Sequence, residues 1–214
     1  MMEITRLSPV DFKTRVLRSE KRNGWQVVLE YENETTGQYL IDLSHLRRWD
    51  VQDANLAKIE PFGVAIPSRP GESVLSGSTL INRMNGTQAS IWQFADKIPQ
   101  LPQESAYTDV SEATVALALI GEKTYAIAEK LSSLDFLDPQ RQSPFLLQGP
   151  FCRVPCQVVA LSKGEGRDGM LLTCSRGYAQ SMVHAVLEAG DEFGILPAGE
   201  SKFDNWISLV SKFV

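Results

Sequence analysis

The stretch Ala113–Ile120 narrows the possible folds more than any other part of the chain. It alternates small with branched apolar residues, carries no charge, and closes on Gly121. That pattern predicts a strand buried in a sheet, bounded by a turn residue. Beyond it, Glu122–Leu134 places Ile127, Leu131 and Leu134 at helical spacing with Ala128 beside them. Gln157–Leu161 and Met170–Cys174 read as strands joined by a glycine-bearing segment, Lys163 to Gly169. Arg176–Ala189 carries Tyr178, Met182, Val186 and Ala189 on one helical stripe, and Gly190 supplies the stop. The order strand, helix, strand, strand, helix predicts an α+β unit, with helices packed on one face of an antiparallel sheet. A last helical pattern runs over Phe203–Val214 through Phe203, Ile207 and Val210.

The earlier part of the chain is less regular. Ser8-Pro9 reads as an N-cap and first helical residue, with Phe12 and Val16 a turn apart and Asn23-Gly24 as the end. Trp25–Tyr31 and Gln38–Asp42 are rich in β-formers around a turn at 33–37, which predicts a hairpin. Ala54–Ile59 reads as a short helix, residues 63–85 as short strands and turns, and Thr87–Phe94 as a strand. The polar, proline-bearing segment Asp96–Thr108 divides the chain into an N-terminal half, 1–98, and a C-terminal half, 99–214, within one compact unit. A proline-rich loop is expected up to Pro150.

A chain of 214 residues with net charge −5 suits a globular domain and disfavours general nucleic-acid binding, since a polyanion would be repelled at long range. The basic group Arg15, Arg18, Lys21 and Arg22 reads as a solvated helix face. The three cysteines lack the spacing of a disulfide framework, the first residues show no apolar leader core, and no run is long enough to span a membrane. These features point to a soluble, cytoplasmic protein. With no second close pair of soft ligands beside Cys152 and Cys156, a structural zinc site is not expected. Neither a G-x-S-x-G elbow nor a phosphate-binding G-x-x-x-x-G-K-[ST] loop is present.

Three stretches, in this order, resemble a known family. They are Leu40-Ile41-Asp42-Leu43-Ser44-His45-Leu46; Thr108-Asp109-Val110-Ser111 continuing through Leu117-Ala118-Leu119-Ile120-Gly121 and Leu134-Asp135; and Ala185-Val186-Leu187-Glu188-Ala189-Gly190 to Leu196-Pro197-Ala198-Gly199. Together they are similar to the glycine-cleavage T-protein (aminomethyltransferase) family, which includes the gamma subunit of heterotetrameric sarcosine oxidase. The resemblance covers roughly residues 38 to 199. It implies two related sheet-plus-helix halves forming a folate-binding fold, without the C-terminal barrel domain of full transferases. It also implies tetrahydrofolate as a cofactor, one-carbon amine metabolism, and larger oxidase or dehydrogenase subunits as partners.

The family's chemistry needs a carboxylate beside the pterin's reactive nitrogen. In full transferases it lies in an Asn-x-x-Gly-Gly-x-x-Asp-Asp-type stretch. Here the frame Asn82-Arg83-Met84-Asn85-Gly86-Thr87-Gln88 is followed by Ala89 and Ser90 where the acidic pair would fall. Loss of one preorganised group of this kind typically costs about 100- to 1000-fold in rate. The resemblance therefore implies a non-catalytic subunit or folate-binding module; the alternative is an active tetrahydrofolate-dependent aminomethyltransferase. The family's pterin-holding Thr-Gly-Tyr-Thr-Gly-Glu segment aligns with Ser162–Gly169, with Arg167 at the glutamate position and Glu165 or Asp168 able to replace it; a plain hairpin turn is the competing reading. Arg47 and Arg48 are candidates for an anionic folate tail. Asn82, within the acid-bearing frame, completes the candidate binding set. His45 reads as a core-edge structural residue and His184 as a surface one. Trp92, Phe94, Phe145 and Phe151 each read as ordinary core, with a part in a subunit interface as the alternative.

Overall fold

The computed structural model describes residues 5–95, 106–164 and 166–211. A two-stranded ribbon of β1 (Val16–Arg22) and β2 (Trp25–Tyr31) precedes β3 (Tyr39–Asp42), β4 (Arg47–Gln52), β5 (Ser73–Ser76), β6 (Thr79–Arg83) and β7 (Gln88–Gln93). The rest comprises β8 (Tyr107–Asp109), β9 (Thr114–Ile120), α1 (Thr124–Leu131), β10 (Phe145–Phe151), β11 (Val154–Ser162), β12 (Gly169–Ser175), α2 (Ala179–Gly190), β13 (Leu196–Ala198) and α3 (Glu200–Val210). One six-stranded sheet has the order β10-β11-β12-β9-β3-β13, and one five-stranded sheet the order β5-β6-β7-β4-β8.

The sequence of β9 explains the layering. Val115, Leu117 and Leu119 join Ile127 of α1 and Met182, Val183 and Val186 of α2 in one core. The alternate residues Ala116, Ala118 and Ile120 join Leu80, Trp92 and Phe203 in another. Because side chains alternate across a strand, the six-stranded sheet lies between the two helices and the five-stranded sheet. A further apolar cluster, with Trp49, Val51, Ile81, Ala89 and Ile91, covers the outer face of the five-stranded sheet under Leu56 and Ile66. Strands cross between the parts of the chain: β3 pairs with β9, and β8 pairs with β4.

Several expectations are corrected. The first helix is absent, and Val16–Arg22 is a strand paired with β2. Asn23 and Gly24 both have positive φ (51° and 84°), so they form the hairpin turn for which Asn-Gly is favoured, not a helix stop. The arginines expected on a helix face line this ribbon instead, where Arg15 and Arg18 face Glu32 and Glu30. β2 and β3 do not pair with each other; β3 runs antiparallel to β9 and parallel to β13. Ala54–Ile59 contributes only a single 3-10 turn, Leu56–Lys58. Phe145–Phe151 is a strand, not a loop, and Pro150 is tolerated there because β10 is the sheet's edge. Tyr178 stands exposed at the start of α2 rather than on its buried stripe. The linker reading falls largely on residues 96–105, which lie outside the described residues.

Gly199 fixes where α3 meets the ribbon. A Cβ there would sit 2.2 Å from the Leu29 carbonyl carbon and 2.4 Å from the Glu30 nitrogen, both main-chain atoms that cannot swing aside. Gly199→Ala is expected to destabilise the protein by about 2–3 kcal/mol. Thermal denaturation should read this as a drop in Tm of roughly 4–12 °C; an unchanged Tm would contradict the contact.

Candidate functional site

The inner face of the five-stranded sheet, toward the six-stranded one, is not uniformly apolar. Register aligns Ser73 with Asn82, Asn82 with Ser90, Ser90 with Asp50, and Asp50 with Thr108. This polar row crosses every strand of the sheet. It lies on the inner face because Leu75, Leu80 and Trp92, two residues along their strands, belong to the inter-sheet core. Asn82 is fully buried and donates from Nδ2 to Ser90 Oγ at 3.1 Å. Its Oδ1, and the buried Ser73 Oγ, have no hydrogen-bond partner among the described residues. Asp50 Oδ2 accepts from Gln88 Nε2 at 3.0 Å. Burial pushes the Asp50 carboxyl above its usual range, partly offset by that hydrogen bond. Ser73, at one end of the row, also lines a cleft of about 750 Å³ bordered by Arg69, Glu72, Arg141 and Phe145.

Arg47 and Arg48 leave β4 on opposite faces. Arg47 lies on the outer side, 3.1 Å from Asp109 and over the Trp49 ring at 5.6 Å. Arg48 is inner and only 2 % exposed, lying over the Trp92 ring at 5.3 Å. Its Nη2 donates to the carbonyls of Ser111 (2.5 Å) and Thr114 (2.9 Å), tying β4 to the start of β9. Burial pushes its pKa down to about 10. Nε and Nη1 find no hydrogen-bond partner among the described residues. Strand alternation thus keeps the two guanidinium groups from closing on one anion together.

Arg167 and Asp168 sit elsewhere, in the turn between β11 and β12. Asp168 accepts the Gly164 N–H, while the Arg167 carbonyl accepts Trp206 Nε1 at 3.3 Å, bracing the turn against α3. Glu165 lies outside the described residues. Asp168 makes no hydrogen bond to Asn82 among the described residues.

Two solved structures share this fold. A chain of heterotetrameric sarcosine oxidase from Corynebacterium sp. U-96 superposes with a TM-score of 0.59 over 72% of this chain and 84% of that one, at 18% identity. Glycine cleavage system aminomethyltransferase T from Bartonella henselae superposes with a TM-score of 0.60 over 92% of this chain and 60% of that one, at 14% identity. The chain has the aminomethyltransferase fold. In sequence, a curated aminomethyltransferase of Shouchella clausii (strain KSM-K16) is 36% identical over 93 residues, which span 43% of this chain but only 24% of that protein. No sequence-family profile matches the chain.

Ala89 and Ser90, where the resemblance places an acidic pair, leave β7 on opposite faces. Ala89 points into the outer apolar cluster and Ser90 into the polar row. An acid at position 89 would be buried among Trp49, Val51 and Ile91. The sequence reading passed over Asp50 and Ser73. Its available signal was the alternation Arg48, Asp50, Gln52 against Trp49, Val51, which marks a strand with a polar face. That face turns inward, whereas polar residues on a strand ordinarily mark solvent. The four aromatics take up the core role: Trp92, Phe145 and Phe151 are buried, and Phe94 is partly buried against Phe203.

His45 anchors a separate cluster. Its Nε2 lies 2.6 Å from Glu200 Oε1, which Arg22 Nη1 also reaches at 2.9 Å. His184, by contrast, is exposed on α2 near Glu188. Burial alone would raise the Glu200 pKa, but His45 and Arg22 hold it below its ordinary value of 4.5. Its stabilising contribution is therefore complete above the ordinary carboxylate range and lost as pH falls through the lower folded value. Glu200→Gln should cost about 1–3 kcal/mol at neutral pH. Urea denaturation at successive pH values should also show a shallower loss of stability in acid; an unchanged acid limb would contradict this role.

Proposed function

We propose that the chain is an aminomethyltransferase-like, folate-binding module of one-carbon amine metabolism, acting as a non-catalytic subunit beside a larger oxidase or dehydrogenase partner. The observation that carries this reading is the inner face of β6, β7 and β4, where β7 presents Ser90 and buried polar atoms of Asn82 and Arg48 have no hydrogen-bond partner among the described residues. A reduced folate fits these residues by donor chemistry. Asn82 Oδ1 offers an acceptor, Ser73 Oγ both a donor and an acceptor, and Arg48 Nε and Nη1 two donors. A pterin edge presents the complementary mixture, and burial of unpaired groups costs free energy that such a ligand would recover. When bound, tetrahydrofolate supplies the nitrogen that carries the one-carbon unit.

The partner assignment draws on the likeness to a chain of a heterotetrameric oxidase, of which this chain spans 84%. Among the described residues, no helix is long and apolar enough to cross a membrane. A second reading, an active tetrahydrofolate-dependent transferase, is favoured by one specific feature: Asp50 stands directly across the ladder from Ser90.

Titration of the protein with tetrahydrofolate, followed by calorimetry and tryptophan fluorescence, tests the proposal. Saturable micromolar binding without aminomethyl transfer is expected. Absence of binding at millimolar ligand would overturn the folate reading, and turnover by the isolated chain would overturn the non-catalytic one.

A further inference from the structure

Strand β7 turns Gln88, Trp92 and, between them, Ser90 toward the inner face, and none of the three is acidic. The ladder places one carboxylate beside Ser90. Asp50 is the direct partner of Ser90 on β4, and directly opposed residues of an antiparallel pair project from the same face with Cβ atoms roughly 4.5–5.5 Å apart. The neighbouring strand thus holds a carboxylate within a side chain's length of Ser90.

The surroundings of Asp50 suit a ligand contact. Gln88 holds Oδ2 and fixes the carboxylate plane, while Oδ1 accepts no hydrogen bond among the described residues. The neighbours along the row, Asn82 and Ser73, each retain a buried polar atom without a partner. On the adjacent inner rung, Arg48 retains two buried N–H donors. Orphaned buried polar atoms are rare in folded proteins, and several on one sheet face mark a place where another molecule completes the hydrogen bonding. The mixture contains acceptors from Asn82 and Asp50 and donors from Arg48, with a hydroxyl at Ser73. It matches a flat heterocycle bearing both ring N–H groups and carbonyl or imine acceptors.

We propose that Asp50 is the carboxylate of this site, accepting a ring N–H of a bound reduced pteridine from the strand facing Ser90. Asp50 is a ligand-binding residue in this account; proton transfer is no part of it. The inference rests on the folate reading above and adds to it a residue that lies outside the acid-bearing stretch.

The test compares tetrahydrofolate binding by the wild type and Asp50→Asn, a near-isosteric change that keeps the hydrogen bond to Gln88 possible. Circular dichroism and thermal melting establish that the variant is folded. At neutral pH, calorimetry should show Kd raised at least tenfold in Asp50→Asn. Ser90→Asp in that background should recover much of the loss by returning a carboxylate to β7. A second measurement needs no variant: in protein labelled with 13C-carboxyl aspartate, the Asp50 resonance should move in step with ligand saturation. Equal affinity of wild type and Asp50→Asn, or an unmoved Asp50 resonance at saturation, would overturn the assignment and leave the folate reading intact. Failure of the wild type itself to bind would overturn both.

Discussion

Every side chain of β9 from Val115 to Ile120 is buried, three facing the helices and three facing the second sheet. A strand buried on both faces cannot slip its register without exchanging large residues for alanines in both cores. It therefore fixes the sheet order around it, with β12 on one side and β3 on the other. The loop after β3 is tied to the same strand: Ser44 Oγ accepts the Ala116 N–H at 3.2 Å, and Asp42 Oδ1 accepts the Ser44 N–H at 3.0 Å. Arg48 then secures β4 to Ser111 and to Thr114, the first residue of β9. Through these links the position of the second sheet, and with it the polar row, follows from β9.

Parts of this order were legible in the sequence because they depend on local pattern. The uninterrupted apolar run of β9, the helical spacing of Ile127 and Leu131 in α1, and the Met182–Val186 stripe of α2 need no knowledge of partners. Pairing was less accessible. The neighbours of β3 are β9 and β13, both distant in sequence, and no adjacent turn advertises that arrangement. In the first ribbon, Ser8-Pro9 imitates a helix start, yet Ser8 Oγ accepts the Val10 N–H in a local turn and also bonds the Asp42 carboxylate. The Asn23-Gly24 pair was the stronger signal, since both residues adopt the positive φ that a two-residue hairpin turn requires.

The candidate site divides along the same line. Asn82 and Ser90 were reachable from the resemblance and lie together in the row. The alignment also suggested Arg47, Arg48, Arg167 and Asp168, and these take up different places: two on opposite faces of β4, two in a turn of the other sheet. Asp50 and Ser73 emerge only from register, which a linear reading does not contain. A buried Asn82 with an unpaired oxygen has no counterpart in composition or periodicity.

The account depends on a molecule completing the hydrogen bonds of the inner face. A crystal structure of the protein with tetrahydrofolate tests this most directly. It should show ligand density within hydrogen-bond distance of Asn82 Oδ1 and Asp50. Density confined to the turn at 163–169, or an inner face whose polar atoms are all satisfied by water, would contradict it.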